Sequence, residues 1–236
     1  MSSEKVKIIV LIASHISYDG QIKFLSNAIK SILDNDFKSD IAISISFEDK
    51  FKYELVNLIT TYKTIKWILQ KDRKYQMEHI YILSKYVDDY DLVMFCDDDD
   101  TYNNSRIGAF AIAFIKTKNY KNIAGIKEVY DLIGYGEFWQ YGVKPIVLQK
   151  FFIEKYLDLL KNKFADMLLR CYLFRIPECN FIEICEKLYN HNRSNPNSIC
   201  ATRSKNATTN GMLNKEFLHD QLFLTTIETN CYNKIL

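Results

Sequence analysis

The run Val6 to Ala13, VKIIVLIA, is a nearly continuous stretch of β-branched and aliphatic residues interrupted by one lysine. Such a strand has no polar face to offer water, so both faces must be covered, as in the centre of a parallel sheet. Helices must then lie on either side, and the sequence that follows supplies them. After the loop Ser14 to Gly20, apolar residues at Ile22, Leu25, Ala28, Ile29 and Ile32 recur at helical spacing. Ile41 to Phe47, IAISISF, alternates at period two and reads as a second strand, completing a βαβ unit. A helix around Tyr53 to Tyr62 and a short strand near Ile65 to Leu69 come next. Met77, Ile80, Tyr81, Ser84 and Val87 then mark a helix before another buried strand, Leu92 to Cys96. Strands alternating with helices over this length predict an α/β fold with a mostly parallel, doubly wound sheet.

Beyond residue 100 the pattern changes to a mixed α+β half. A helix is expected near Arg106 to Lys116, a strand near Asn122 to Ile126, and an aromatic stretch runs from Tyr130 to Tyr141. Helices are expected over Leu148 to Leu160, Phe164 to Phe174, Phe181 to Tyr189 and Glu216 to Glu228. Asn190 to Asn214 is rich in Asn, Ser and Thr without an apolar period, which predicts a mobile loop. No repeat and no linker divides the chain, so 1–236 reads as one domain with halves 1–100 and 101–236.

With 48% apolar and 14% aromatic residues, 236 residues can fill a sizeable core. The 31 basic and 29 acidic residues leave a formal charge of +2, too small for electrostatic binding to nucleic acid. The six cysteines form no CxxC pair and no zinc spacing with the four histidines, and they read as reduced thiols. Val6 to Ala13 is too short and too interrupted for a signal peptide, and no run approaches the ~18 apolar residues of a membrane span. A cytoplasmic location is the expectation.

The strand Leu92 to Cys96 runs straight into Asp97-Asp98-Asp99-Asp100. Adjacent carboxylates repel by about 4 kcal/mol per pair at ~4 Å and an effective dielectric near 20, so the tetrad calls for a counter-charge. Oxygen ligands suit a hard divalent cation, Mg²⁺ or Mn²⁺, whose open positions diphosphate oxygens can fill. If the strand frays into a turn, Asp97 and Asp99 can face one way and Asp98 and Asp100 the other. A solvated acidic turn is the alternative, but ligands in open α/β sheets bind outside the carboxyl ends of the strands.

These segments together resemble the family 2 glycosyltransferases of the A fold (GT-A), within the nucleotide-diphospho-sugar transferase superfamily, over roughly Lys5 to Ser198. Val6 to Ala13 with Ser14-His15 is similar to the family's first strand and nucleotide-contacting loop, and IKFLSNAIKSIL (22–33) to its first helix. Phe95-Cys96-Asp97-Asp98-Asp99-Asp100 resembles its Asp-x-Asp turn. The resemblance implies a GT-A sheet with a mixed acceptor half and a nucleotide-sugar donor, UDP-linked by expectation. It also implies a glycan or other hydroxyl acceptor, transfer with inversion, and Mn²⁺ or Mg²⁺ as cofactor. It implies that Asp97 lies near ribose and metal, that Asp99 coordinates the metal, and that Asp98 and Asp100 belong to the donor side, Asp100 towards the sugar. Ser46-Phe47-Glu48-Asp49 replaces the family's usual Asp-rich turn for the base, with Glu48 as the candidate contact. In Asp72 to His79, Arg73 or Lys74 can pair with phosphate, and Gln76 and His79 lie one helical turn apart on one face; an ordinary solvated helix start is the alternative.

An inverting transfer needs a carboxylate to take the acceptor proton. Phe164-Ala165-Asp166-Met167-Leu168-Leu169-Arg170 resembles the family's helix start with Ala in place of Glu, so Asp166 is the candidate base and Glu137 its competitor. Apolar neighbours are expected to raise the pKa of Asp166, while a helix-start charge with no catalytic part is the other reading. In Gly134 to Gly142, Trp139 is the candidate acceptor wall, or a core residue. His191, with Arg193, is a candidate metal or diphosphate contact, or a solvated loop histidine. Two other functions compete: a sugar-nucleotide nucleotidyltransferase, which usually needs a Gly-rich basic loop that Ser14 to Gly20 lacks, and a non-catalytic nucleotide-sugar or glycan-binding module.

Overall fold

The structure is a computed structural model that describes residues 6–117, 120, 122–129, 137–153, 160–161, 165–177, 180–192 and 195. The chain divides into two compact units, Met1–Asn190 and His191–Leu236. Most of the loop expected over 190–214, the expected helix 216–228, and Arg193 lie outside the described residues.

In the first unit β1 (Ile8–Ile16), α1 (Gln21–Leu33), β2 (Asp40–Phe47), α2 (Lys52–Thr61), β3 (Lys66–Leu69), α3 (Gln76–Leu83) and β4 (Leu92–Asp97) follow in the expected order. Ile8, Val10, Ile12 and Ile16 of β1 join Leu25, Ala28, Ile29 and Ile32 of α1 in one core cluster. Ile9 and Leu11, alternating with them, are equally buried, and α3 packs on β1 and β2. The continuous apolar run is thus explained: both of its faces are covered.

The second half adds β5 (Thr101–Tyr102), α4 (Arg106–Thr117), β6 (Gly125–Glu128), β7 (Tyr141–Val143), α5 (Pro145–Ile153), α6 (Asp166–Arg175), β8 (Phe181–Ile184) and β9 (Tyr189–Asn190). The main sheet has seven strands in the order β3-β2-β1-β4-β7-β6-β8, and β5 pairs with β9 in a separate two-stranded ladder. β1, β2, β3 and β4 are mutually parallel, β7 is antiparallel to β4 and β6, and β8 is parallel to β6. Strand order therefore reverses between β1 and β4, which opens a crevice at their carboxyl ends. Gly125 and Gly142 let β6 and β7 approach closely, since a Cβ on Gly125 would meet the Gly142 carbonyl at 2.1 Å.

One expectation is corrected. Phe181 to Tyr189 is not a helix: its two ends are strands, β8 beside β6 and β9 beside β5. Short apolar runs fit both periods, and pairing with a distant strand decided the outcome. Among the described residues Cys96 and Cys185 are free thiols, and no helix is long and apolar enough to cross a membrane.

Candidate active site

Register places the acidic residues. In the β1–β4 ladder Ala13 faces Asp97, so Ser14, one step further, reaches the residue after the strand. Ser14 Oγ donates to Asp98 Oδ2 at 2.5 Å, and Gln21 Nε2, at the first position of α1, donates to the same oxygen at 3.2 Å. Gln21 Oε1 also accepts from the Ser17 amide at 3.0 Å, fixing the β1–α1 loop. On the other side Gln76 Nε2, at the start of α3, donates to Asp97 Oδ1 at 2.7 Å. Asp97 and Asp98 therefore point to different partners, held by side chains from three elements.

Burial is the first cause that pushes Asp97 well above the usual carboxylate range, followed by Asp100, Asp99, Asp98 and the more distant Asp166. Burial and then Asp99 push Asp98 up to about 7, although the hydrogen bonds from Ser14 and Gln21 pull the other way. The turn thus concentrates carboxyl groups whose mutual repulsion and burial disfavour the charged form. Asp166, the first residue of α6, is half-buried and close enough for its charge to act on Asp97.

Asp100 has no exposed surface, and its amide closes the turn on the Asp97 carbonyl at 3.3 Å.

A second group of side chains lies at the ends of β1 and β2. The register sets His15 beside Ser46, and His15 Nδ1 and Ser46 Oγ share a hydrogen bond of 2.8 Å. His79 is buried behind them, with Nδ1 2.8 Å from Ser44 Oγ and Nε2 3.3 Å from Ser46 Oγ. It is not the solvated helix-start residue considered above. Burial, with His15 and Lys74 nearby, lowers its pKa to about 3, so the ring is neutral. Burial also lowers His15, aided by Arg73 and opposed by Glu48, which places both candidate charges around that ring. Glu48 is exposed and pairs with Lys50 at 3.4 Å.

Glu137 accepts a 3.1 Å ion pair from Arg170 Nη1, one turn along α6 from Asp166, so the competitor base is engaged by a cation. Trp139 sits in the 3₁₀ turn Phe138–Gln140, partly buried against the core, with its ring stacked on Tyr189 at 4.2 Å and 17°. His191 is exposed and belongs to the second unit. Gln21, Ser46 and Tyr189 carried no recognisable motif; their positions follow from sheet register, which the sequence does not display.

Among the described residues no three His, Cys, Asp or Glu side chains converge into a closed metal cage. Mg²⁺ and Mn²⁺ sites completed by substrate phosphates use only one or two carboxylates, and an all-oxygen donor set suits such ions, so the acidic turn fits one.

The architecture is shared with known transferases. The crystal structure of S. aureus TarS 1–349 matches with a TM-score of 0.58 and 14% identity over 78% of this chain and 59% of that one. The mannosyltransferase PcManGT from Pyrobaculum calidifontis, in complex with GDP-Man and Mn²⁺, matches at 0.55 and 10% identity over 78% and 55%. A cytidylyltransferase from Leptospira borgpetersenii serovar Hardjo-bovis matches at 0.55 and 11% identity over 95% of both chains. The chain thus spans 59% of the TarS fragment's length. No family model and no curated protein matches it by sequence. The fold is that of the GT-A nucleotide-diphospho-sugar transferases.

Proposed function

We propose that this chain is a metal-dependent glycosyltransferase that moves a sugar from a nucleoside-diphosphate donor, UDP-linked, to a hydroxyl acceptor with inversion. The observation that carries the reading is the acidic turn at the strand-order reversal, anchored by Ser14, Gln21 and Gln76, with the charge of Asp166 acting on Asp97. Asp99 and Asp97 would hold a divalent cation, which when bound supplies positive charge against the leaving diphosphate. His15, Ser46 and Arg73 would flank the nucleotide, and Trp139 would give the acceptor an apolar wall. The acceptor oxygen attacks the anomeric carbon as the carbon–oxygen bond to the diphosphate breaks, the electron pair leaves with the diphosphate, and Asp166 takes the acceptor proton. Glu137 is the second candidate base, and one of its oxygens is already held in an ion pair by Arg170.

A nucleotidyltransferase is the second reading, favoured by the even coverage of the cytidylyltransferase. Against it, the end of β1 and the connection to α1, Ser14 to Gly20, carry no lysine or arginine to meet a triphosphate. A single assay separates the two: incubation with UDP-sugars and Mn²⁺ should release UDP, whereas nucleoside triphosphate plus sugar phosphate should release no pyrophosphate. Pyrophosphate release without UDP release would replace the first reading by the second. Mn²⁺-dependent nucleotide binding with neither product would leave a binding module.

A further inference from the structure

Beneath the acidic turn lies a charged pair that the proposed transfer does not use. Arg106, the first residue of α4, and Glu128, the last of β6, are wholly buried, with Arg106 Nε 2.9 Å from Glu128 Oε2. Apolar residues of similar volume often fill such a space with no loss of stability, so the pair invites a geometric explanation. Both partners are used beyond each other. Arg106 Nη2 donates to the Trp139 carbonyl at 2.7 Å, and its guanidinium lies over the rings of Tyr102 at 4.3 Å and Tyr189 at 4.7 Å. The second oxygen of Glu128 accepts from the amides of Leu188 at 2.5 Å and Tyr189 at 2.9 Å.

Tyr189 is where these contacts converge. It belongs to a two-residue strand whose ladder to β5 is too short to hold it alone. The Glu128 carboxylate fixes its backbone, the Arg106 guanidinium covers its ring, and Trp139 stacks on it. Its hydroxyl in turn accepts from the Asp97 amide at 2.9 Å, where β4 enters the acidic turn. Among the described residues the remaining nitrogen of Arg106, Nη1, is buried without a hydrogen-bond partner.

We propose that the Arg106–Glu128 pair is a positioning device that locks Tyr189 between the Asp97 turn and Trp139, so that both are held as one rigid piece. Its consequence for metal and donor binding rests on the reading of the acidic turn given above; its consequence for the turn's rigidity does not.

The test compares the full chain with Tyr189→Phe, which keeps the ring and removes the hydroxyl, and with Glu128→Gln. Melting temperature, amide exchange over Asp97–Asp100, and the Mn²⁺ concentration giving half-maximal UDP binding are measured on each. Tyr189→Phe should melt within a few degrees of the wild type, exchange the turn amides about tenfold faster with Ile8–Leu11 unchanged, and need about tenfold more Mn²⁺. Glu128→Gln should move the last two readouts in the same direction; if it fails to fold, Tyr189→Phe decides. Unchanged exchange of the turn in Tyr189→Phe overturns the proposal, even with UDP binding intact. Faster exchange in a protein whose wild type binds no UDP with Mn²⁺ supports the positioning role and removes the donor reading instead.

Discussion

Asp98→Asn should make the metal-free protein more stable near neutral pH. Burial and then Asp99 raise the Asp98 carboxyl from 3.8 to about 7, more than the Ser14 and Gln21 hydrogen bonds lower it. A carboxyl whose pKa is raised by folding favours the folded state while protonated, and that contribution disappears as pH rises from 3.8 through about 7. The integrated penalty at pH 8 has a ceiling of about 4 kcal/mol, and partial exposure with counter-ion screening reduces it to about 1–2 kcal/mol. Asparagine keeps the shape and still accepts from Ser14 Oγ, so it removes the charge with little loss of bonding. Urea denaturation in excess chelator should show the variant about 1–2 kcal/mol more stable at pH 8, with the gain shrinking towards zero by about pH 3.5. Mn²⁺ should narrow the gap at pH 8 by stabilising the wild type. A variant less stable than wild type at pH 8, or a gain independent of pH, would show that the two hydrogen bonds outweigh the repulsion and that the turn is not under electrostatic strain.

Asp166→Asn should lower sugar transfer by about 10²-fold or more with donor affinity changed by less than roughly 1 kcal/mol; lost donor binding would move Asp166 into the nucleotide or metal site, and normal transfer would move the base to Glu137. The buried neutral His79, lowered to about 3, stabilises the fold above pH 6.5 and loses that contribution as pH falls towards its folded value. His79→Gln should therefore escape about 2.5 kcal/mol of the destabilisation that the wild type suffers between pH 8 and pH 4.5, and parallel acid curves for the two proteins would count against the assignment. Gly125→Ala forces a Cβ to within 2.1 Å of a backbone carbonyl in the next strand, so a melting scan should show a loss of about 3 kcal/mol or more, and a neutral substitution would mean that β6 and β7 are not so close.

By itself the sequence determined the layered half of the protein. Val6 to Ala13 could not be anything but a strand covered on both faces, and the period of α1 and the alternation of β2 follow from side chains a few residues apart, where local physics is complete. The acidic turn was legible for the same reason: four neighbouring carboxylates after an apolar strand carry their electrostatic demand in the sequence. The tertiary structure decided everything that depends on residues far apart meeting. Phe181 to Tyr189 became two strands because β6 and β5 were there to pair with it. The β1–β4 register chose Ser14 as a partner of Asp98, joined by Gln21 from the start of α1, and the packing of α3 on β1 and β2 turned His79 from a surface candidate into a buried residue bonded to Ser44 and Ser46. Folding of the second half brought the charge of Asp166 to bear on Asp97, and set Arg106 against Glu128 beneath Tyr189. Hydrogen bonds and ion pairs across such separations are products of chain topology, and no local pattern of residue types encodes which of many serines, glutamines or carboxylates will be brought together.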